Sequence, residues 1–137
     1  MLLKINKLQH IGIPVTDLKK SEIFYEGLGF QNVMHSQFEI DGENGFVSMM
    51  QLKDIIIEIY QMPSRQLVEV KTRKDGRVDH IAFDVDDIDA TYLELSSNGY
   101  HMLEPSPVLL ASFWSKGCKY FNIAGPDGER LEFNQVL

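Results

Sequence analysis

Apolar residues alternate with polar or small ones along LQHIGIPV, residues 8–15, which is the period of a strand. A Thr16-Asp17 step follows, and either residue can cap a helix over 18–26 in which Leu18, Phe24 and Tyr25 share an inward face. Gly27 and Gly29 close that helix, glycine being the usual residue just past a helix end. Residues 30–38, 45–52 and 54–60 then read as three strands, with Asp41-Gly42 and Lys53-Asp54 supplying the turns. The stretch 61–77 interrupts the alternation with Pro63 and the basic residues Arg65, Lys71, Arg73, Lys74 and Arg77, and reads as a connector with room for a short helical turn.

The same order then returns. VDHIAFDV, residues 78–85, repeats the opening strand, and Asp86 or Asp87 can cap a helix that runs to Asn98. Ile88, Tyr92 and Leu95 are spaced as its apolar stripe, and Gly99 ends it. Strands are predicted at 100–103, 119–123 and 130–134, with a tight Gly125-Pro126-Asp127-Gly128 turn before the last. Set side by side, LQHIGIPVTDL answers VDHIAFDVDDI and SEIFYEGLGF answers ATYLELSSNGY. The chain is therefore read as one domain of two tandem modules, about 5–61 and 78–135, joined by the connector 62–77.

Within the repeat, His10 and His80 occupy matching places 70 residues apart, and Glu58 and Glu132 lie near the module ends 74 apart. Glu58 interrupts the apolar run IIIEIY, which reads as buried on both faces, where a charge is costly unless a partner or a metal neutralises it. Glu132 stands between Leu131 and Phe133, so strand parity turns it away from them. Taken singly, a histidine in an apolar strand is more often a hydrogen-bonded core residue than a ligand, and a buried glutamate more often pairs with lysine or arginine. Two His/Glu pairs at matching positions of a repeat are difficult to obtain from core packing alone. They point to one divalent ion held by His10, Glu58, His80 and Glu132, and two imidazoles with two carboxylates suit nickel, zinc, cobalt, manganese or iron.

Composition narrows the setting. At 137 residues and 44% hydrophobic, the chain can bury well over half of its unfolded surface, so a metal would serve chemistry rather than folding. The lone Cys118 forms no internal disulfide, the N-terminus lacks the apolar core of a signal peptide, and no stretch approaches the roughly 20 apolar residues of a membrane span. A cytoplasmic protein is expected, with no membrane partner. The net charge of −7 argues against a general grip on nucleic acid. The local basic run 71–77 reads as a solvated linker or, more sharply, as a contact for an anionic substrate through Arg77 and its neighbours. Phe113, Trp114 and Tyr120 read either as a stacking surface for a ligand or as a packed loop, and Lys116 is a further cation beside them.

HIGIPVTDLKKSEIFYEGLGF, DHIAFDVDDIDA and GPDGERLEFNQ together resemble the vicinal-oxygen-chelate superfamily, which includes glyoxalase I, bleomycin-resistance proteins, methylmalonyl-CoA epimerase and extradiol dioxygenases, over residues 8–135. The resemblance implies an α+β fold of two βαβββ modules whose sheets form a cupped open barrel, and a homodimer acting on a small molecule. His10, Glu58, His80 and Glu132 resemble the bacterial glyoxalase I ligand set at all four positions, whereas methylmalonyl-CoA epimerase typically has glutamine where Glu58 stands. In that chemistry the ion binds two adjacent oxygens of a hemithioacetal and a carboxylate moves a proton between neighbouring carbons. By resemblance Glu132 is the base and Glu58 the runner-up; Lys116, Trp114, Phe113 and Arg77, read from the residues themselves, are the candidate substrate contacts. Pro14 and Met62 stand where glutathione-using relatives carry an arginine and an asparagine, which implies a different thiol or another chelating substrate. Other readings that the resemblance leaves open are an epimerase, a ring-cleaving dioxygenase, or a binding protein that sequesters a drug-like molecule.

Overall fold

The computed structural model of the chain describes residues 3–27, 29–73, 78–124 and 130–137. In chain order its elements are β1 (Ile5–Pro14), α1 (Leu18–Gly27), β2 (Gln31–Ile40), β3 (Glu43–Leu52), β4 (Ile55–Gln61), α2 (Ser64–Thr72), β5 (His80–Val85), α3 (Ile88–Ser97), β6 (His101–Met102), β7 (Val108–Leu110), β8 (Cys118–Ala124) and β9 (Arg130–Val136). They form two compact units, one of His10–Asp79 and one of Met1–Gln9 with His80–Leu137, so β1 gives its first half to the second of these and its last half to the first.

In the unit His10–Asp79 the strand order is β2-β3-β4-β1. The β2–β3 hairpin turns at Asp41 and Gly42, both with positive φ (53° and 80°), the backbone that an Asp-Gly pair adopts in a two-residue turn matching strand twist. β3 and β4 pair antiparallel, and β4 pairs parallel with β1. Gly45 lies opposite Phe38 so closely that a Cβ there would stand 2.4 Å from the ring, so a larger residue would force that ring to move. Asp17 caps α1, its Oδ1 accepting from the Lys20 N–H at 3.0 Å. One side of the unit packs Phe30, Met50 and Ile59 with Leu18 and Tyr25.

Two expectations need correction here. Phe24 does not face inward with Leu18 and Tyr25 but is 62% exposed, stacked edge-on against Tyr25. The buried polar position of α1 is instead Glu22, which accepts from the Ser48 hydroxyl and lies 3.3 Å from His35 Nδ1. Nor is β4 buried on both faces, since Ile55 is exposed and Ile56 and Ile57 are half-buried. The segment read as a connector carries the nine-residue helix α2, whose Glu69 and Arg73 form a two-pronged ion pair at 2.9 and 3.0 Å.

In the other unit the order is β1-β5-β9-β8-β6, with β7 also pairing with β8. β5 and β9 run parallel, and β9 and β8 antiparallel. Asp87 caps α3 by accepting from the Ala90 N–H at 3.0 Å. The expected stripe is observed: Ile88 and Leu95 are buried and Tyr92 packs with them on Val85, Phe121, Ile123 and Phe133. The Phe121 and Phe133 rings stack at 5.2 Å. The strand expected over 100–103 shortens to β6, and β7 was not expected at all. The predicted 125–128 turn lies outside the described residues. The α+β class and the βαβββ repeat are both present, β1-α1-β2-β3-β4 being answered by β5-α3-β6-β8-β9.

Candidate functional site

In the unit His10–Asp79, parity sends Ile11 and Ile13 of β1, and Ile57 and Ile59 of β4, to the face packed on α1. It sends His10 and Glu58 to the other face. The parallel register places Gly12 beside Glu58, two residues beyond His10. His10 is 1% exposed, and its Nε2 lies 3.7 Å from Glu58 Oε2. Val47 and Met49, on the β3 face shared with Glu58, are both buried and apolar.

The other unit repeats this construction. Ala82 pairs with Glu132 in the parallel β5–β9 register, again two residues beyond the histidine, here His80. Phe83 and Phe133 face α3 while His80 and Glu132 face away. His80 Nε2 lies 3.4 Å from Glu132 Oε2, and both residues are buried. The other carboxylate oxygen, Oε1, accepts from Asn134 Nδ2 at 2.8 Å, and Asn134 Oδ1 in turn accepts from Gln9 Nε2 at 3.3 Å. Burial pushes the Glu132 carboxyl above its ordinary range; the nearby His80 and the Asn134 hydrogen bond pull it back only in part, and Glu104 adds to the rise.

The separations of 3.4 and 3.7 Å exceed the 2.7–3.2 Å of an N–H···O hydrogen bond. Two ligand atoms each roughly 2.0–2.2 Å from a shared ion would stand about 3–3.6 Å apart, close to what each pair shows. Each pair therefore presents one imidazole nitrogen and one carboxylate oxygen in a geometry that fits a divalent ion, and the Asn134 bond fixes one oxygen of Glu132, the kind of outer support that a ligating carboxylate would need.

The expected substrate contacts sit differently from one another. Phe113 is buried in the 111–117 loop, its N–H donating to Leu110 O, so packing accounts for this ring. Trp114 is half-buried with φ +57°, a left-handed backbone that costs a bulky residue about 1–3 kcal/mol. Lys116 is exposed, and Arg77, like Lys74, lies outside the described residues. Arg73 is held by Glu69, which raises its pKa, so it is committed within α2 and its cap.

Asn134, Gln9, Glu104 and Asn122 were not singled out from the sequence. The alternation in ERLEFNQ puts Asn134 on the face of Glu132, and KYFNI puts Asn122 opposite Phe121, so the signal was parity.

Residues 7–133 match the family model described as Glyoxalase/Bleomycin resistance protein/Dioxygenase superfamily. The chain is 32% identical over 133 residues to the uncharacterized protein YwbC of Bacillus subtilis (strain 168), covering 94% of this chain and 97% of that one. Among solved structures, methylmalonyl-CoA epimerase from Mycobacterium tuberculosis shares the fold with a TM-score of 0.78 at 18% identity, over 100% of this chain and 93% of the other. A variant of 4-hydroxymandelate synthase from Streptomyces coelicolor gives a TM-score of 0.72 at 17% identity, over 94% of this chain and 48% of the other. The chain belongs to the glyoxalase/bleomycin resistance protein/dioxygenase superfamily.

Proposed function

We propose that the protein is a metal-dependent enzyme of the glyoxalase I type, a lyase or isomerase, and that His10, Glu58, His80 and Glu132 together hold one divalent ion (nickel, zinc, cobalt, manganese or iron). The observation that carries this reading is the repeated His/Glu pair. Each is built across a parallel strand pair with the histidine two residues before the glutamate's register partner, and each has its donor atoms 3.4–3.7 Å apart. When bound, the ion would act as a Lewis acid toward two adjacent oxygens of the substrate.

The chain's own residues would supply the proton chemistry. Glu132 is the proposed base: Asn134 fixes one of its oxygens, and burial makes it more basic than a solvated carboxylate. Glu58 is the alternative base. Trp114 and Lys116 are proposed to meet the substrate from the 111–117 loop, Phe113 to support that loop from within, and Arg77 to add a cation for an anionic arm. A cytoplasmic homodimer is part of the proposal; the buried Cys118, the single cysteine of the sequence, supports a reducing compartment, and family membership supports the dimer.

A second reading within the family, an epimerase, draws support from the TM-score of 0.78 to an epimerase structure, which speaks for the fold. Glu58, where resemblance to that branch would call for glutamine, favours the glyoxalase type. The test is turnover of methylglyoxal adducts with several thiols, with and without added metal. Metal-dependent turnover is expected, weak with glutathione because Pro14 offers no donor and Met62 only a weak sulfur acceptor. Glu132→Gln should keep some metal and lose about 10²–10⁴-fold in rate, as loss of a general base does. Absence of metal-dependent turnover with every thiol adduct would remove the glyoxalase reading.

A further inference from the structure

Asn122 lies on β8 directly opposite Glu132 in the antiparallel β8–β9 register, so the two side chains share one face of the sheet. It is 4% exposed. Glu104 grips it twice: Oε2 accepts from the Asn122 backbone N–H at 2.6 Å and Oε1 from its Nδ2 at 2.9 Å. Both Glu104 oxygens are occupied as acceptors of N–H groups, so Glu104 fixes which way the amide points, nitrogen toward itself and oxygen away. Oδ1 is then a fully buried acceptor with no donor among the described residues.

A buried amide oxygen without a donor costs free energy that natural folds rarely leave uncompensated. Tying 104 to β8 requires only the amide nitrogen and the backbone N–H, and the Leu103 N–H to Asn122 O bond at 2.9 Å already closes that segment. The oxygen is surplus to that structural role. The opposite face of β8 is filled by Phe121 and Ile123, so Oδ1 belongs to the face that carries His80 and Glu132.

We propose that Asn122 Oδ1 is a specificity-determining acceptor for an N–H or O–H group on the ligand held at His80 and Glu132. The substrate class would then carry a hydroxyl or amide donor next to its chelating oxygens. This rests on the metal-centred reading above. Glu104 acts through Asn122 and is its positioning residue.

A matched pair of small chelators tests it. Acetohydroxamic acid and its N-methyl derivative bind metals through the same two adjacent oxygens, but only the first has an N–H. Their binding to the cobalt(II)-loaded full-length protein is followed by visible absorption. Wild type should prefer the N–H form by about tenfold, one buried hydrogen bond of ordinary strength. Asn122→Leu should bring the ratio near one with cobalt content unchanged. Glu104→Gln, which preserves shape and frees the amide to turn, should lower it as well and serves if the first variant does not fold. Equal binding by wild type, or a preference that persists in the folded variants as a steric penalty on the methyl would, overturns the role of Asn122 alone. Failure of the protein to take up cobalt, or of both chelators to perturb its spectrum, overturns the metal-centred reading and this inference with it.

Discussion

Glu132 is a carboxylate that strand parity forces onto a buried face, and its neighbours offset that burial only partly. Its pKa in the metal-free fold is raised above the ordinary 4.5, mainly by desolvation. For such a group the folded state binds the proton more tightly than the unfolded chain. Its contribution to stability is therefore complete below about pH 4.5 and is lost as pH rises through the raised value. Glu132→Gln, which keeps the shape and removes the charge, is expected to raise the melting temperature of metal-free protein at neutral pH. The gain should be a few degrees, the response of a domain this size to about 1 kcal/mol. The gain should vanish toward pH 4, and thermal melts across that range check it. A gain independent of pH would show that packing, not charge, sets the effect. Added metal should reverse the sign, because the ion and the proton compete for the same carboxylate.

At the scale of elements, the helix caps were the most legible feature and the short edge pieces the least. Asp17 and Asp87 precede their helices as an N-cap should, and both accept the expected backbone N–H. Asp87→Ala should cost about 0.5–2 kcal/mol in urea denaturation without altering metal content. A loss of metal at unchanged stability would contradict a purely local role. The inward face of α1 is not legible from apolarity, because Phe24 is apolar yet exposed, while the inward position belongs to Glu22, satisfied by Ser48 and Lys19. Local periodicity cannot see such a partner on another element. β7 is not legible in the sequence because three residues between Pro107 and a loop carry no period, and its pairing with β8 is decided by tertiary contact. α2 was hidden by Pro63 and the basic run; Pro63 stands just before its first turn, where a missing N–H costs nothing.

For the molecule as a whole, the repeat made the fold legible: two βαβββ series in one chain, each ending in a strand that carries a glutamate beside a histidine strand. The same repeat pointed to the four candidate ligands, since matching positions in two series survive errors in any one element. The groups around them, Asn134, Asn122 and Glu104, were not legible, because their roles arise from cross-strand register and not from spacing along the chain. The central claim is that the two His/Glu pairs serve one ion. Metal content of the protein purified without a histidine tag, compared with His10→Ala and His80→Ala, tests it most directly. The account predicts about one divalent ion per chain in the wild type, as a single four-ligand site requires, and loss of it in both folded variants; full retention of metal in both would contradict it.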